Sequence, residues 1–238
     1  MKPYFIFKNK NSKDMGISIS KLPPRIKPEQ RGEIINIPGR DGFLFESDNA
    51  YNQKALEIEC TLMDTSDLKK IMEMPIWLDG SGELIFSDFP DYYYEARIIN
   101  SIPIERLLKR YKRFLIVFEV QPFSKKIEPV IIEKSTIVEE KINVLTYYDT
   151  PYKMILNATG NIEIHINDTI INLNDLDRKV IIDGNLMNVT DEVGNNLNNL
   201  MLGDFPKLKP GENTISIICE EDSTFTNLVI EYKGLWIW

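Results

Sequence analysis

The segment Ile35-Asn36-Ile37-Pro38-Gly39-Arg40-Asp41-Gly42-Phe43 is the most informative stretch of this sequence. Two glycines, a proline and an Arg-Asp pair lie between short apolar runs, a composition typical of a turn. The glycines suit positions that need a positive φ or a close approach of the backbone. The charges of Arg40 and Asp41 have two possible partners, which are groups of their own turn or another protein chain.

The sequence on either side of this turn favours β-structure. Residues 3–8 predict a first strand. Prolines interrupt residues 21–31, which are expected to form an extended arm that could reach a neighbouring chain. Residues 54–62 alternate between apolar and polar side chains and predict a strand with one wet face.

The rest of the first half adds one helix and a closing strand. Capping candidates at 64–67 precede a helical pattern over 68–74, and Pro75 is expected to end that helix. The continuous apolar centre of 113–123 predicts a strand buried on both faces. Strands with a single helix indicate an α+β domain, which we place at residues 1–127.

From residue 128 onward the pattern is typical of an antiparallel β-sandwich. Ile162, Ile164 and Ile166 alternate with polar residues, and Asp183-Gly184 is the strongest hairpin signal. Short strands separated by turns about every ten residues indicate a second domain at 128–238. The fold class predicted for the whole chain is therefore mainly β.

Charge divides the sequence in the same way. Residues 1–126 contain 20 Lys+Arg and 18 Asp+Glu, whereas residues 127–238 contain 8 and 18. An acidic second half would repel phosphates, which argues against nucleic-acid binding. The sequence has no apolar run long enough to span a bilayer, so no membrane insertion is expected.

Few side chains in the sequence are candidates for catalysis or metal binding. The single histidine, His165, is expected to face solvent from the polar face of its strand, and one histidine argues against a histidine-based metal site or a Ser-His-Asp triad. Cys60 and Cys219 are expected to be buried free thiols, with a disulfide as the alternative. Asp175, Asp177, Asp183 and Asp191 lack the spacing of an EF-hand loop. We expect no catalytic residues, no bound metal and no cofactor.

Aromatic residues at the C-terminus are the remaining candidates for ligand contacts. Trp236 and Trp238 would share one face of an extended strand. Aromatic side chains in strands usually pack in a core or an interface. Together with His165, these tryptophans are the candidate sugar contacts.

Five landmarks resemble, in their order, the distal tail (Dit) proteins of long-tailed, siphovirus-type bacteriophages and related tail-like particles. The most specific is the phrase Gly-Asp-Phe-Pro, Leu, Pro-Gly, Asn within the last landmark, and the set spans essentially the whole chain. The landmarks are Pro38–Gly42, Trp77–Leu84, Phe114–Phe123, Val180–Gly184 and Leu202–Ile215.

This resemblance implies a structural virion protein and not an enzyme. It implies a ring-forming first domain, six copies of which join the tail tube protein to the tail-tip hub protein, and a galectin-like second domain that serves as a platform for receptor-binding proteins. Residues Pro38, Gly39, Arg40, Asp41 and Gly42 would then contact a neighbouring subunit or another tail protein. The protein would be made and assembled in the cytoplasm of the bacterial host and end at the virion tail tip.

Two other functions stay open at the level of sequence. A carbohydrate-binding module of a baseplate or cell-surface assembly would need an exposed aromatic side chain on a concave sheet face. A wall-degrading hydrolase would need two carboxylates that face each other in a cleft. Some relatives insert additional carbohydrate-binding modules, but no stretch of this chain is long enough to hold one.

Overall fold

The computed structural model describes residues 2–63, 67–102, 113–135 and 139–237. They form two compact units, of which the first ends at Lys125 and includes Ile237, and the second spans Lys126–Trp236. Each unit has a hydrophobic core of its own.

The first unit is an antiparallel sheet with a helix packed against it. Its elements are β1 Phe5–Phe7, β2 Lys10–Asn11, β3 Ile17–Ile19, β4 Gln30–Ile35, β5 Leu44–Tyr51, β6 Lys54–Leu62, α1 Leu68–Trp77, β7 Ser81–Phe86, β8 Phe89–Ile98, β9 Arg113–Val120 and β10 Ser124–Lys126. The main path of the sheet runs in the order β2-β1-β7-β8-β9-β6-β3.

The alternation of residues 54–62 is confirmed as strand β6. Leu56, Ile58, Cys60 and Leu62 are buried, while the residues between them face outward. The prediction that 113–123 is buried on both faces is wrong, because β9 buries Phe114, Ile116, Phe118 and Val120 and exposes Leu115. An antiparallel sheet that is covered on one side leaves its other face to solvent.

Helix α1 begins where the sequence places it and extends further than predicted. The Asp67 carboxylate accepts a hydrogen bond from the Lys70 backbone N–H at 3.2 Å, which caps the first turn. Pro75 lies inside the helix instead of ending it. The Trp77 indole donates a hydrogen bond to the Phe7 carbonyl at 2.7 Å and its ring stacks on Phe5. This packing holds the last turn in place despite the backbone bond that the proline removes.

The second unit is the predicted antiparallel β-sandwich. Its strands are β11 Val130–Lys134, β12 Glu140–Val144, β13 Tyr152–Ile166, β14 Thr169–Leu176, β15 Val180–Asp183, β16 Asn188–Thr190, β17 Met201–Gly203, β18 Gly211–Cys219, β19 Thr224–Tyr232 and β20 Leu235–Trp236, with a 3-10 turn at Asn198–Leu200. Strand β13 pairs with β15 and β19 in its first half and with β14 and β18 in its second half, so it belongs to both faces of the sandwich.

The Asp183-Gly184 hairpin is present, with a longer loop than a two-residue turn. Asp183 pairs with Asn188, which leaves four residues between the strands. The Asp183 carboxylate accepts hydrogen bonds from the backbone N–H groups of Asn185 and Leu186. The left-handed position is taken by Met187, at φ 52°, and not by the glycine.

Candidate interaction surface

The segment Ile35–Phe43 forms the tip of an exposed β-hairpin. Among the described residues, strands β4 and β5 pair only with each other and form a two-stranded sheet, with Ile35 opposite Leu44 and Ile34 opposite Phe45. Every residue of β4 is exposed. Ile34 is 62% and Phe43 61% exposed, although both are large and apolar. An isolated two-stranded hairpin is marginally stable in water, and exposed apolar surface of this kind marks interaction sites.

The tip of the hairpin follows the rules of a type II turn. The Arg40 N–H donates to the Ile37 carbonyl at 3.1 Å, which places Pro38 and Gly39 at the two central positions. Proline is favoured at the first of these positions, and the second requires a positive φ, which Gly39 adopts at 80°. The sequence motif therefore encodes a rigid, outward-facing tip.

Arg40 and Asp41 are exposed, and neither forms an ion pair with another described residue. Of the two possibilities left open by the sequence, pairing within the turn is therefore not what the structure shows. The charges of both side chains remain available to a second protein. Contact between Pro38–Gly42 and such a protein stays a proposal.

The base of the hairpin is fixed by polar contacts. The Arg31 Nε donates to Asp48 Oδ2 at 2.6 Å, and the Ser47 hydroxyl donates to the Arg31 carbonyl at 2.8 Å. The hydrogen bond from Arg31 and a further one from the Ala50 N–H lower the pKa of Asp48. These contacts join strands β4 and β5 to each other at the base of the hairpin.

The proline-rich arm contacts its own domain, and the expectation that it reaches a neighbouring chain stays a prediction. Arg25 lies over the Phe89 ring at 4.0 Å and pairs with Asp88. The Lys54 ammonium donates to the Ile26 carbonyl at 3.0 Å. A cation placed between an aromatic face and a carboxylate is held from two sides. The projecting element of this unit is therefore the β4–β5 hairpin.

Lys54 also holds the C-terminal segment. Its Nζ donates to the Ile237 carbonyl at 3.3 Å, and the Tyr94 hydroxyl donates to the same oxygen at 3.2 Å. Burial, followed by the charge of Arg25, lowers the pKa of Lys54 to about 8, and burial raises the pKa of Tyr94. This buried cluster is structural, since its polar groups are satisfied by backbone carbonyls.

A second apolar surface lies on helix α1. Leu68, Met72 and Ile76 are 60%, 73% and 77% exposed. Their spacing of four residues aligns them on one side of the helix, while Ile71, Met74 and Trp77 fill the core on the other. A helix with apolar side chains on both faces has a surface that its own domain leaves uncovered.

The outer face of the first sheet contains an open groove of about 670 Å³. Three of its charged lining residues form ion pairs, Arg97 with Glu119 and Glu95 with Lys125.

The candidate sugar contacts lie on different elements of the second unit. His165 is half-buried on the outer face of β13, shares a hydrogen bond with Glu163, and lies in register with Ile170 and Ser216. Trp236 is half-buried in β20 and packs edge-to-face on Tyr147, with 4.8 Å between the ring centroids. Trp238 lies outside the described residues. The two described side chains have different neighbours, and their contact with a sugar stays a prediction.

The cysteines are free thiols in different surroundings. Cys60 is buried, and burial raises the pKa of its thiol to about 12. Cys219 is exposed, so the expectation that both are buried is wrong. It is the last residue of β18 and lies beyond Ile217, the last residue of that strand in the core.

Acidic residues of the second unit form local hydrogen bonds and ion pairs. Asp191 accepts hydrogen bonds from the N–H groups of Val193 and Asn195 and from the Asn195 side chain, which lower its pKa. Asp177 pairs with Arg178. Across the parts of the chain that the structure describes, no three metal-binding side chains are grouped.

The Gly203–Asn213 phrase is explained by a buried asparagine. The Asn213 Oδ1 accepts from the Lys209 N–H at 2.8 Å and from the Asn167 side chain at 2.9 Å. Its Nδ2 donates to the Lys209 and Gly211 carbonyls. The Asn213 side chain thus supplies hydrogen-bond partners for backbone groups of the Pro-Gly turn. It also joins this turn to the neighbouring hairpin at Asn167. The sequence displays the phrase as a landmark but does not reveal this structural role.

Comparison with known proteins gives a family model and a solved structure that are similar to parts or all of this chain. The model of the phage tail protein RIFT-related domain matches residues 10–120. The crystal structure of the Dit protein of phage SPP1 superposes with a TM-score of 0.76 at 12% identity, covering 99% of this chain and 100% of that one. That protein is described as a paradigm of the hub adsorption apparatus in phages that infect Gram-positive bacteria. No curated protein sequence matches the chain. Within the described residues, no helix is long and apolar enough to cross a membrane.

Proposed function

This chain carries a phage tail protein RIFT-related domain in its first half and has the Dit fold throughout, and from this premise we propose that it forms a six-membered ring at the tip of a phage tail. The ring joins the tail tube protein on one side to the tail-tip hub protein on the other. It serves as a platform for the proteins that adsorb to the host. The protein acts through assembly and not through catalysis.

The observation that carries this proposal is the exposed β4–β5 hairpin. Its apolar side chains and its Arg40 and Asp41 charges are accounted for if another subunit covers them. A contact between two different surfaces of the same protein repeats around an axis, and it forms a ring when the rotation closes. Pro38, Gly39, Arg40, Asp41 and Gly42 would be part of that contact.

The second unit suits the role of a platform. Its strands form a sandwich with exposed apolar residues such as Ile131, Leu186 and Val193 on a strongly acidic half of the chain. Such residues are available to receptor-binding proteins. We propose that the protein is assembled in the host cytoplasm and remains at the virion tail tip.

Substitution within the hairpin tests the proposal. We expect the double variant Ile35→Asp, Leu44→Asp to lose assembly in light scattering, alone and with the tail tube and hub proteins, because charges would replace the apolar contact. Both side chains are exposed in the single chain, so the fold should be retained. The control is Ile131→Asp, an exposed apolar site in the other unit. If the double variant assembles like the control, the hairpin does not form the ring contact.

A further inference from the structure

The exposed apolar surface of helix α1 suggests where the β4–β5 hairpin of another subunit could bind. Leu68, Met72 and Ile76 form an apolar stripe on α1, and the hairpin has an apolar face of its own. We propose that the stripe on α1 of one subunit is the docking site for the β4–β5 hairpin of the next. The inference rests on the proposed ring and adds the identity of the receiving surface.

One face of the hairpin combines the required groups. Residues opposite each other in an antiparallel pair point to the same side, and so do residues two positions apart. Ile35 and Leu44 therefore share a face with Glu33 and Glu46, which are also opposite each other. Like charges at opposed positions destabilise a hairpin in isolation. A cationic partner would remove that repulsion.

The helix supplies such a partner at one end of the stripe. Lys69 and Lys70 are exposed in its first turn, where the helix dipole adds positive potential. Neither lysine forms an ion pair with another described residue, and the same holds for Glu33 and Glu46. The basic end of the stripe and the acidic part of the hairpin face are thus complementary and both available.

The remaining charges give the contact a direction. Glu73 follows one turn after Lys69 and Asp79 lies just beyond the end of the helix, while the hairpin tip carries Arg40 and Asp41. If Glu33 and Glu46 lie beside the lysines, the tip extends toward the acidic end of the stripe. At the base of the hairpin, Arg31 and Asp48 are paired with each other and do not take part.

The two surfaces also agree in length. Ile76 lies eight positions after Leu68 in the α-helix, which corresponds to roughly 12 Å at the helical rise. Ile37 lies four positions after Glu33, which corresponds to a distance of roughly 13 Å in an extended chain. One hairpin edge can therefore cover the whole stripe, with its acidic residues at one end and its tip at the other.

Cross-linking between two chains that each carry one exposed cysteine tests this docking. In a Cys219→Ser background, L44C on one chain is mixed with M72C on another and mildly oxidised, while Cys60 stays buried. We expect the mixed dimer to form at least about tenfold faster than for L44C mixed with V193C, because docking raises the local thiol concentration. Val193 is 86% exposed and provides an accessible thiol away from the stripe.

Charge exchange provides a second test on the full chain. Lys69→Glu with Lys70→Glu should abolish assembly, and so should Glu33→Lys with Glu46→Lys. The variant that combines all four substitutions should assemble again. The reversal of Lys207 and Glu221, exposed residues of the second unit, is the control and should have no effect.

The outcomes separate this inference from the proposed ring. If the wild-type chain assembles but L44C and M72C cross-link no faster than the control pair, and the fourfold variant is not restored, the docking site is wrong while the ring stands. A chain that stays monomeric with every partner would contradict both.

Discussion

Single residues explain several of the landmarks that the sequence displays. Pro38 and Gly39 occupy the two central positions of a type II turn, which their chemistry alone predicts. Asn213 is different, because one of its four hydrogen bonds comes from the Asn167 side chain, in a hairpin that is distant in sequence. Local turn chemistry can be predicted from neighbours in the chain, whereas a tertiary hydrogen-bond network cannot.

Replacement of Asn213 should reveal its structural role. We expect Asn213→Ala to lower the free energy of unfolding by about 2–3 kcal/mol, since it removes the hydrogen-bond partners of the Lys209 N–H and carbonyl and leaves a cavity at a fully buried position. Urea unfolding measures the loss. Asn185→Ala, at an exposed loop position, is the matched control and should change stability little. Equal stabilities of the two variants would show that the network contributes nothing.

Lys54 should make stability depend on pH in a defined window. Its pKa in the folded chain is about 8, below the ordinary value of 10.5. Between these pH values the unfolded chain binds the proton that the folded chain has released, so the free energy of unfolding rises with pH. Burial of Cys60 acts in the opposite direction above about pH 9 by raising the pKa of its thiol.

A comparison with Lys54→Met isolates this contribution, because the Cys60 effect is common to both proteins. We expect wild type to gain stability relative to the variant between about pH 7.5 and 9.5, in thermal or urea unfolding. Stability curves that stay parallel over this range would contradict the lowered pKa.

Elements show where periodicity succeeds and where it fails. The alternation in β6 predicted its buried residues correctly, and the capping residue Asp67 marked the start of α1. Pro75 was misleading because the contacts of Trp77 with Phe5 and Phe7 hold the last helical turn. Strand β9 was misjudged because a run of apolar residues does not reveal whether a second layer covers the sheet.

The bend in β13 is a further feature that sequence patterns did not resolve. Gly160 lies before the isoleucine alternation, inside one strand that continues from Tyr152 to Ile166. Its φ of 83° and a shift in register turn the strand from one sheet to the other. Any Cβ at this position would lie 2.4 Å from the Ser223 Oγ and 2.9 Å from the Ser223 Cα.

Substitution of this glycine should therefore be costly. We expect Gly160→Ala to lower the free energy of unfolding by about 2–4 kcal/mol, from the left-handed backbone and the clash together. Gly194→Ala is the control, since Gly194 has a φ of 94° and open space around it. It should lose only about 1 kcal/mol from the backbone conformation. If both variants lose the same amount, close packing against Ser223 is not important.

At the scale of the whole molecule, the order of the landmarks along the sequence points to the family, and the comparisons confirm that resemblance. The mainly β fold with one helix in the described residues is likewise confirmed. The sequence could not show which apolar residues stay exposed. Ile34 and Met72 are large apolar residues of the kind that usually fill a core. Only the fold reveals that they remain exposed within the described chain. Candidate contacts of an assembly are therefore visible as exposed apolar surface and not as a motif.

Native mass spectrometry of the purified protein, alone and mixed with the tail tube and hub proteins, tests the ring most directly. We expect a particle of six chains, six times the 27.6 kDa of one chain, either alone or in the mixture. A single-chain mass of 27.6 kDa under every condition, with no complex formed with either partner, would contradict the account.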